Sequence, residues 1–157
     1  MTLLPGCIIP PDIEVEPNYP PKVDISLVQP RPFGDDDQNW LQLNINEQCD
    51  TPNMTFFLPW RAITDQNKGD QHFVRFFYST QHGWSLAGAI ADVREDINGY
   101  VVEIVPARIP TPQRLVLYAL VTDRPWPAEA ENDRQLAKGA KRTELFWIIE
   151  VIDDPSC

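Results

Sequence analysis

Three cysteines, Cys7, Cys49 and Cys157, are the side chains of this chain with the widest chemical repertoire. They lie too far apart for a CxxC redox motif or a zinc knuckle, because both need closely spaced cysteines. Two fates remain for thiols at such separations. One cysteine can be covalently modified, and the other two can form a disulfide.

Cys7 lies in a context that predicts attachment of a lipid. The segment Leu4-Pro5-Gly6-Cys7 places a small residue directly before a cysteine, as in a bacterial lipobox. The proline-rich residues 8–32 that follow suit a semi-rigid tether, although the usual apolar stretch upstream is missing. The sequence therefore predicts a membrane anchor at Cys7. The alternative is a cytosolic chain with reduced thiols.

A serine motif offers a hydrolase as a second possibility. The motif GWSLA at residues 83–87 is similar to the G-x-S-x-G nucleophile elbow, with alanine at the fifth position. That elbow needs an α/β sheet and a later histidine, whereas His72 and His82 both precede Ser85. We therefore expect Ser85 to be a turn or strand residue, and the protein not to be an enzyme.

Acidic side chains offer a third possibility, a calcium-dependent adhesion or assembly subunit. Calcium takes about six to eight oxygen ligands. Aspartates that could supply them at one pole of a sandwich are Asp35, Asp36, Asp37, Asp123, Asp153 and Asp154. Because no D-x-D-x-D-G loop is present, solvated loops are the simpler interpretation, and we expect no metal and no cofactor.

The charged segment 124–142 is the predicted binding surface. Trp126 lies between two prolines, and a rigid, exposed tryptophan is a suitable anchor for a partner. Arg124 and Arg134 add charge, and Pro127 could open a short helix. Because loops between the last two strands of a sandwich often bind ligands, we expect a protein or glycan partner here. The alternative is a variable, solvated insertion.

Length and charge restrict the classes of function. The 157 residues, of which 43% are hydrophobic, suffice for one domain with a core. A net charge of −10 repels phosphate backbones, so we do not expect nucleic-acid binding. The sequence has no lysine-rich cluster to favour an anionic lipid surface, and no apolar run long enough to span a membrane.

The 16 prolines and an apolar period of two predict short strands. These strands are residues 22–27, 40–46, 54–63, 72–80, 90–96, 100–105, 114–122 and 143–152. Pro59 predicts that the third strand is bulged or lies at a sheet edge, and Asn98-Gly99 predicts a tight hairpin turn. We expect an all-β fold, an antiparallel immunoglobulin-like β-sandwich of about eight strands over residues 22–157. Residues 1–21 form the proline-rich N-terminal tether.

The fold in turn predicts a disulfide. If strand 40–46 pairs parallel with strand 143–152, the C-terminal ends of both strands lie at the same pole. Cys49 and Cys157 follow these ends by three and five residues, so a Cys49–Cys157 disulfide is geometrically feasible. Two reduced thiols are the alternative.

Several segments together resemble a known group of proteins. They are the Gly6-Cys7 pair, NYPP at residues 18–21, HFVRFFY at 72–78, VTDRP at 121–125, and FWIIEV at 146–151 before a terminal cysteine. This pattern resembles the predicted single-domain, immunoglobulin-like lipoproteins common in myxobacteria. The resemblance implies an outer-membrane lipoprotein of the cell envelope, on the periplasmic or surface face, and no activity. We therefore expect a lipid-anchored, non-catalytic binding or structural module.

Overall fold

The computed structural model describes residues 17–34, 40–67, 69, 71–80, 83–127 and 136–156. This part of the chain is all-β and has no α-helix, only 3-10 turns at Ile25–Leu27, Trp60–Ala62, Ala87–Ala89 and Pro106–Arg108. The strands are β1 (Lys22–Val23), β2 (Leu41–Asn44), β3 (Met54–Pro59), β4 (Ile63–Thr64), β5 (Phe73–Thr80), β6 (Gly83–Leu86), β7 (Ala91–Asp96), β8 (Gly99–Ile104), β9 (Gln113–Thr122) and β10 (Arg142–Ile152).

Five strands form a mixed sheet in the order β2-β10-β9-β5-β6. β9 and β10 are antiparallel, with Thr122 opposite Arg142. β2 runs parallel to the end of β10, with Leu41 opposite Ile149. The predicted parallel pairing is therefore confirmed. β5 is an interior strand, as its apolar residues on both faces predict.

Three strands form a second sheet in the order β3-β8-β7, and β1 pairs with β4 beside it as a short two-stranded ribbon. β3 is an edge strand, as Pro59 predicts. β7 and β8 form the predicted hairpin, in which Asp96 Oδ1 accepts hydrogen bonds from the amides of Asn98 (2.7 Å) and Gly99 (3.0 Å). Gly99 has φ +154°, and a Cβ at this position would overlap the carbonyl oxygen of Leu58. The turn therefore requires glycine.

The two sheets share one hydrophobic core. Phe56 of β3 packs edge-on against Trp147 of β10, with ring centroids 5.2 Å apart. Tyr100 of β8 lies 6.1 Å from Phe76 of β5. Trp147 also donates a hydrogen bond from Nε1 to the carbonyl of Pro30 at 2.8 Å. Apolar contacts between side chains of both sheets therefore hold the sheets face to face.

Three expectations about local structure need correction. The first strand ends at Val23, because the Asp24 carboxylate accepts a hydrogen bond from the Ser26 amide and caps a 3-10 turn. The third ends at Pro59, and another 3-10 turn follows it. β6 has no predicted counterpart, since four residues are too short for a clear alternation. The helix predicted after Pro127 falls on residues 128–135, outside the described ranges.

The strands define two ends of the molecule, separated by about 35 Å at ~3.3 Å per residue along β10. We call one end the tether pole; it carries residues 17–22, 60–67, 96–99, 122–127 and 136–143. We call the other end the distal pole; it carries residues 44–54, 105–112 and 153–156.

Residues 17–21 of the predicted tether are hydrogen-bonded to the tether pole. Asn18 Nδ2 donates to Asp123 Oδ2 at 2.5 Å. The Asn67 side chain donates to the carbonyl of Pro17 at 3.1 Å and accepts a hydrogen bond from the Tyr19 amide at 2.9 Å. Thr143 Oγ1 donates to the carbonyl of residue 21. The chain thus enters the domain in a fixed position at this end.

Candidate functional site

Trp126, the predicted exposed anchor, is buried. Its side chain is 9% exposed and packs against Phe77 and Leu120 on the outer face of the five-stranded sheet. The guanidinium of Arg75 lies 5.0 Å from the centre of its ring. The expectation of an exposed Trp126 is therefore wrong. β5 and β9 are apolar on both faces here, so the indole covers surface that water would otherwise contact.

Two other tryptophans, Trp40 and Trp84, are exposed. The Arg114 guanidinium lies 4.1 Å from the Trp40 ring, and Trp84 packs against Tyr118 with centroids 4.2 Å apart. They lie at opposite edges of the five-stranded sheet, about 19 Å apart at ~4.8 Å per strand. They therefore do not form a single aromatic platform.

Arg124 and its neighbours form the stem of the predicted binding loop. Arg124 Nη1 donates to the carbonyl of Lys138 at 3.0 Å, and Asp123 Oδ1 accepts from the Lys141 amide at 2.8 Å. Asp123 is buried, and its other oxygen accepts the tether hydrogen bond described above. Arg134 lies outside the described residues, so a binding role for Arg124 and Arg134 stays a prediction.

Cys49 is the one cysteine among the described residues, which therefore contain no pair at disulfide distance. It lies at the distal pole, where its Sγ is 3.3 Å from the Asp154 carbonyl oxygen and 3.4 Å from Asn44 Nδ2. Cys7 and Cys157 lie outside the part of the chain that the structure describes. Lipidation at Cys7 and the Cys49–Cys157 pairing thus stay predictions.

Ser85 lies within β6 opposite Tyr78, as expected of a strand residue, and not at the strand-to-helix turn of a nucleophile elbow. His72 precedes β5 directly, about 20 Å along the strand from Tyr78 at ~3.3 Å per residue. Its Nε2 faces the carboxylate of Asp65 at 3.7 Å. The described residues therefore bring no histidine to Ser85, and His82 is not among them.

Among the described residues, the carboxylates considered for calcium do not converge. Asp123 follows β9 at the tether pole, whereas Asp153 and Asp154 follow β10 at the distal pole. Residues 35–37 are outside the described ranges. Within those ranges, no group of three or more histidine, cysteine, aspartate or glutamate side chains could hold a metal ion.

A cleft opens between the two sheets, on the side of β6 and β7. Its volume of about 530 Å³ falls within the range of ~300–1,000 Å³ that is usual for ligand sites. The walls are mainly apolar, with Val74, Phe76, Leu86 and Val93. Polar groups among them come from Arg75, Glu95 and Tyr100. We call this cavity the inter-sheet cleft.

The cleft exists because β6 is much shorter than β5. β6 pairs with residues 77–80 of β5, so among the described residues no strand lies beside residues 73–76 on the side away from β9. On the opposite wall, Val93 of β7 pairs with Val102, which is fully buried. Cross-strand partners point to the same face of a sheet. Val93 therefore points to the core side, yet it is 44% exposed because the five-stranded sheet does not cover it.

Tyr100 forms the floor of the inter-sheet cleft. Its ring lies 4.6 Å from that of Trp60, and its hydroxyl is hydrogen-bonded to the backbone of Val74. Burial, with a further contribution from the negative charge of Glu95, raises the pKa of Tyr100 to about 12. The hydroxyl is therefore protonated at neutral pH and stays available for hydrogen bonding at the base of the cleft.

A second cavity of about 680 Å³ lies at the distal pole beside Cys49. The fold already uses its polar side chains. Asn44 donates to the carbonyl of Asp154 at 2.8 Å and accepts from its amide at 3.1 Å, and Asn46 donates to Asp153 at 2.6 Å. Because these groups hold the end of β10 in place, the inter-sheet cleft is the better candidate for a ligand site.

Sequence analysis did not single out Val93, Glu95 or Tyr100. A difference in strand length was the signal that could have pointed to the cleft. The four residues 83–86 can pair with only half of the eight-residue β5. That the segment at residues 83–86 leaves half of β5 without a neighbouring strand on that side could have been inferred from this difference. The burial of Tyr100 and the exposure of Val93 depend on how the sheets pack, which the pattern does not contain.

No protein-family model, curated protein or solved structure matches this chain. Among the described residues, none of the helical segments is both long and apolar enough to cross a membrane.

Proposed function

We propose that this chain is a lipid-anchored, non-catalytic binding module of the cell envelope, and that an extended segment of a partner protein binds in its inter-sheet cleft. One observation carries the proposal. The stretch of β5 at residues 73–76, which β6 does not reach, faces the exposed, core-side Val93 across a mainly apolar cleft.

The finer fold assignment that we propose is an immunoglobulin-like sandwich. The order β2-β10-β9-β5-β6 opposite β3-β8-β7 matches the A′-G-F-C-C′ and B-E-D sheets of that fold. The parallel pairing of β2 with β10 agrees with this assignment. The cleft then lies between strands C′ and D, away from the loops at the poles.

An extended peptide suits the cleft better than a compact ligand. A strand edge beside which no other strand lies can accept an added strand. In this edge the backbone of Val74 is bonded to the Tyr100 hydroxyl, so an added strand would have to replace or bypass that contact. Alternate side chains of an added strand would point into the cleft, where Leu86 and Val93 offer apolar contacts. Strand addition therefore supplies both main-chain affinity and side-chain selectivity.

The charge of the site favours a basic segment. Glu95 of β7 lines the cleft, as does Arg75 of β5, whose guanidinium lies over the Trp126 ring. On the other face of β7, Asp92 is paired with Arg108 at 2.7 Å and Arg94 is paired in a bidentate fashion with Glu103 at 2.9 Å. With a net charge of −10, the whole chain attracts cationic partners. Residues 12–16 of this chain, DIEVE, also alternate between charged and apolar side chains. Because their charges are negative, they suit the cleft less well than a basic segment of a partner.

Calorimetric titration with a short synthetic peptide of alternating lysine and valine tests this function. We expect saturable binding, and about tenfold weaker binding to Val93→Ser, because one buried apolar contact is lost. Ile97→Ser is the matched control, since it makes a similar change on an exposed turn outside the cleft. Absence of binding, or an equal loss in both variants, would contradict the proposal.

Anchoring at Cys7 and location in the envelope belong to the same proposal. They are supported by the lipobox pattern and by the proline-rich stretch after it. The hydrogen bonds of residues 17–21 add support, because they give the chain a defined entry into the domain.

We also propose the Cys49–Cys157 disulfide, which suits an oxidising compartment. Asn44 and Cys49 both contact the backbone of Asp154, three residues before Cys157. Hydrogen bonds from the Ser156 side chain and then from its amide, the latter at 2.8 Å, turn the chain and lower the pKa of Asp154. In forming the S–S bond, the two thiols lose two protons and two electrons. The acceptor is a protein disulfide of the oxidoreductase class, which is reduced to a dithiol.

Mass spectrometry of protein from its native cells, without reductant, tests the anchor and the disulfide. We expect a lipid mass on a new N-terminus at Cys7, and a peptide in which Cys49 is linked to Cys157. An unprocessed Met1 with three free thiols would contradict both.

A further inference from the structure

The outer face of the five-stranded sheet carries a row of side chains that crosses four strands. Val116 of β9 lies between two buried core residues, so its side chain points away from the core. Its cross-strand partners are Ile148 of β10 and Ser79 of β5, and Ser79 is in turn opposite Trp84 of β6. Because cross-strand partners point to the same face, all four side chains lie on the outer face.

Towards the tether pole, other side chains cover this outer face. Trp126 and Leu136 pack there on Phe77 and Leu120. Nearer the distal pole, the row through Val116 borders a cavity of about 350 Å³, at the lower end of the ~300–1,000 Å³ that is usual for ligand sites. We call this cavity the outer trough. Its lining residues are Ser79, Thr80, Arg114 and Val116.

An aromatic ring lies on either side of the outer trough. On the side of β6, Trp84 is 41% exposed and packs against Tyr118, with centroids 4.2 Å apart. On the side of β2, the Arg114 guanidinium lies 4.1 Å from the centre of the Trp40 ring, and Trp40 is 45% exposed. This cation–π contact restrains the Arg114 side chain at the wall of the trough. The trough therefore has an exposed indole on one side, a guanidinium on the other, and the Ser79 hydroxyl between them.

We propose that the outer trough binds a neutral oligosaccharide. A pyranose ring has C–H groups on its faces, and these groups pack well against the negative face of an indole such as that of Trp84. The hydroxyl groups at the edge of the sugar accept hydrogen bonds from a guanidinium and exchange them with a serine hydroxyl. Arg114 and Ser79 supply these two groups. The site lies on the outer face of β5 and β9, so it is separate from the inter-sheet cleft.

Strand pairing and charge disfavour other occupants of the outer trough. Residues 77–79 of β5 pair with β6 on one side and with β9 on the other, so the trough offers no strand edge to a peptide. Arg114 is opposite Glu150, and the acidic residues 35–37 precede Trp40 closely in the sequence. With a net charge of −10 for the whole chain, an anionic sugar and a second copy of the protein are both repelled.

Calorimetric titration of the full chain with two neutral sugars, cellohexaose and maltohexaose, tests this site. We expect saturable binding of at least one of them, and weaker binding of a galacturonic acid hexamer. Trp84→Ala should weaken binding of the neutral sugar about tenfold, because the apolar ring surface is lost. Arg114→Gln should weaken it several-fold through lost hydrogen bonds, and it leaves the exposed indole of Trp84 in place.

Two matched controls make similar changes at the tether pole. Tyr19→Ala removes another exposed ring, and Arg61→Gln removes another exposed guanidinium. Each control, like Val93→Ser in the inter-sheet cleft, should change sugar binding by less than about twofold. Absence of binding to both neutral sugars, or equal losses in variants and controls, would overturn the proposal. Sedimentation of the free protein as a dimer that Trp84→Ala dissociates would also overturn it, because a second copy would then occupy this face. The peptide titration of the cleft is a separate measurement, so the two proposals can fail separately.

Discussion

Tyr100 contributes to the cleft both through the packing of its ring and through its hydroxyl group. It packs on Trp60 and Phe76, binds the backbone of Val74 and faces the charge of Glu95. The fold favours its neutral form, since ionisation would place a negative charge in a buried site near a carboxylate. The cleft therefore depends on an intact hydroxyl at its base.

Alkaline pH should destabilise the protein through this residue. The pKa of Tyr100 rises from 10.0 to about 12 on folding, so its contribution to stability is complete below pH 10 and is lost as the pH rises through 12. Urea unfolding at several pH values in this window should show a steeper loss for the wild type than for Tyr100→Phe. Tyr19→Phe, at an exposed position, should follow the wild type. Identical slopes for wild type and Tyr100→Phe would contradict the assignment.

Among the residues of the loop stem, we expect substitution of Asp123 to reduce the free energy of unfolding most. Its buried carboxylate accepts hydrogen bonds from the Lys141 amide and the Asn18 side chain. Asp123→Ala removes both hydrogen bonds, although Asn18 Nδ2 keeps its 3.4 Å contact with the Gly139 carbonyl, and we expect a loss of about 1–3 kcal/mol in the free energy of unfolding. Asp153→Ala, which removes an exposed carboxylate, should lose less than half of that in the same urea experiment. Equal losses would show that the stem does not hold the tether.

At the scale of elements, the hairpin of β7 and β8 carries one wall of the cleft. Gly99 is required there by the close approach of β3 and by its positive φ. Gly99→Ala should reduce the free energy of unfolding by about 2 kcal/mol or more. Gly34→Ala is the control, because nothing lies within 4 Å of an added Cβ at that position. Comparable urea midpoints for the two variants would contradict this account of the turn.

Much of the strand pattern could be predicted from the sequence, because alternation and turn residues are local signals. β10 alternates between buried and partly exposed residues over most of its length, and Asn98-Gly99 marks the hairpin. The parallel pairing of β2 with β10 followed from the topology assumed for the fold. The prediction of a strand over residues 22–27 was wrong beyond Val23. The Asp24 side chain accepts a hydrogen bond from the Ser26 amide and favours a 3-10 turn, which the spacing of apolar residues does not reveal.

The candidate site was harder to predict, because it depends on contacts between elements. Trp126 between two prolines has the composition of an exposed anchor, but the apolar outer face of β5 and β9 buries it. Val93 has the pattern of an ordinary core position, and its exposure arises from the shortness of a different strand, β6. Neither the burial of Trp126 by other strands nor the exposure of Val93 beside a short strand can be read from composition or periodicity.

At the scale of the whole molecule, the two poles and the side cleft divide the proposed roles. Residues 17–21 enter at the tether pole, the proposed disulfide would close the distal pole, and the cleft lies between the sheets. In the proposed arrangement a partner strand would reach the cleft from the side while a lipid at Cys7 anchors the chain.

The location of peptide binding tests the central claim most directly. The measurement is the change in backbone amide NMR shifts when the lysine–valine peptide is added to the full chain, with an alternating glutamate–valine peptide as the control. We predict the largest changes at residues 73–76, Leu86 and Val93, and much smaller changes with the acidic peptide. Changes concentrated in residues 124–127 and 136–141, or no changes with either peptide, would contradict a binding site in the inter-sheet cleft.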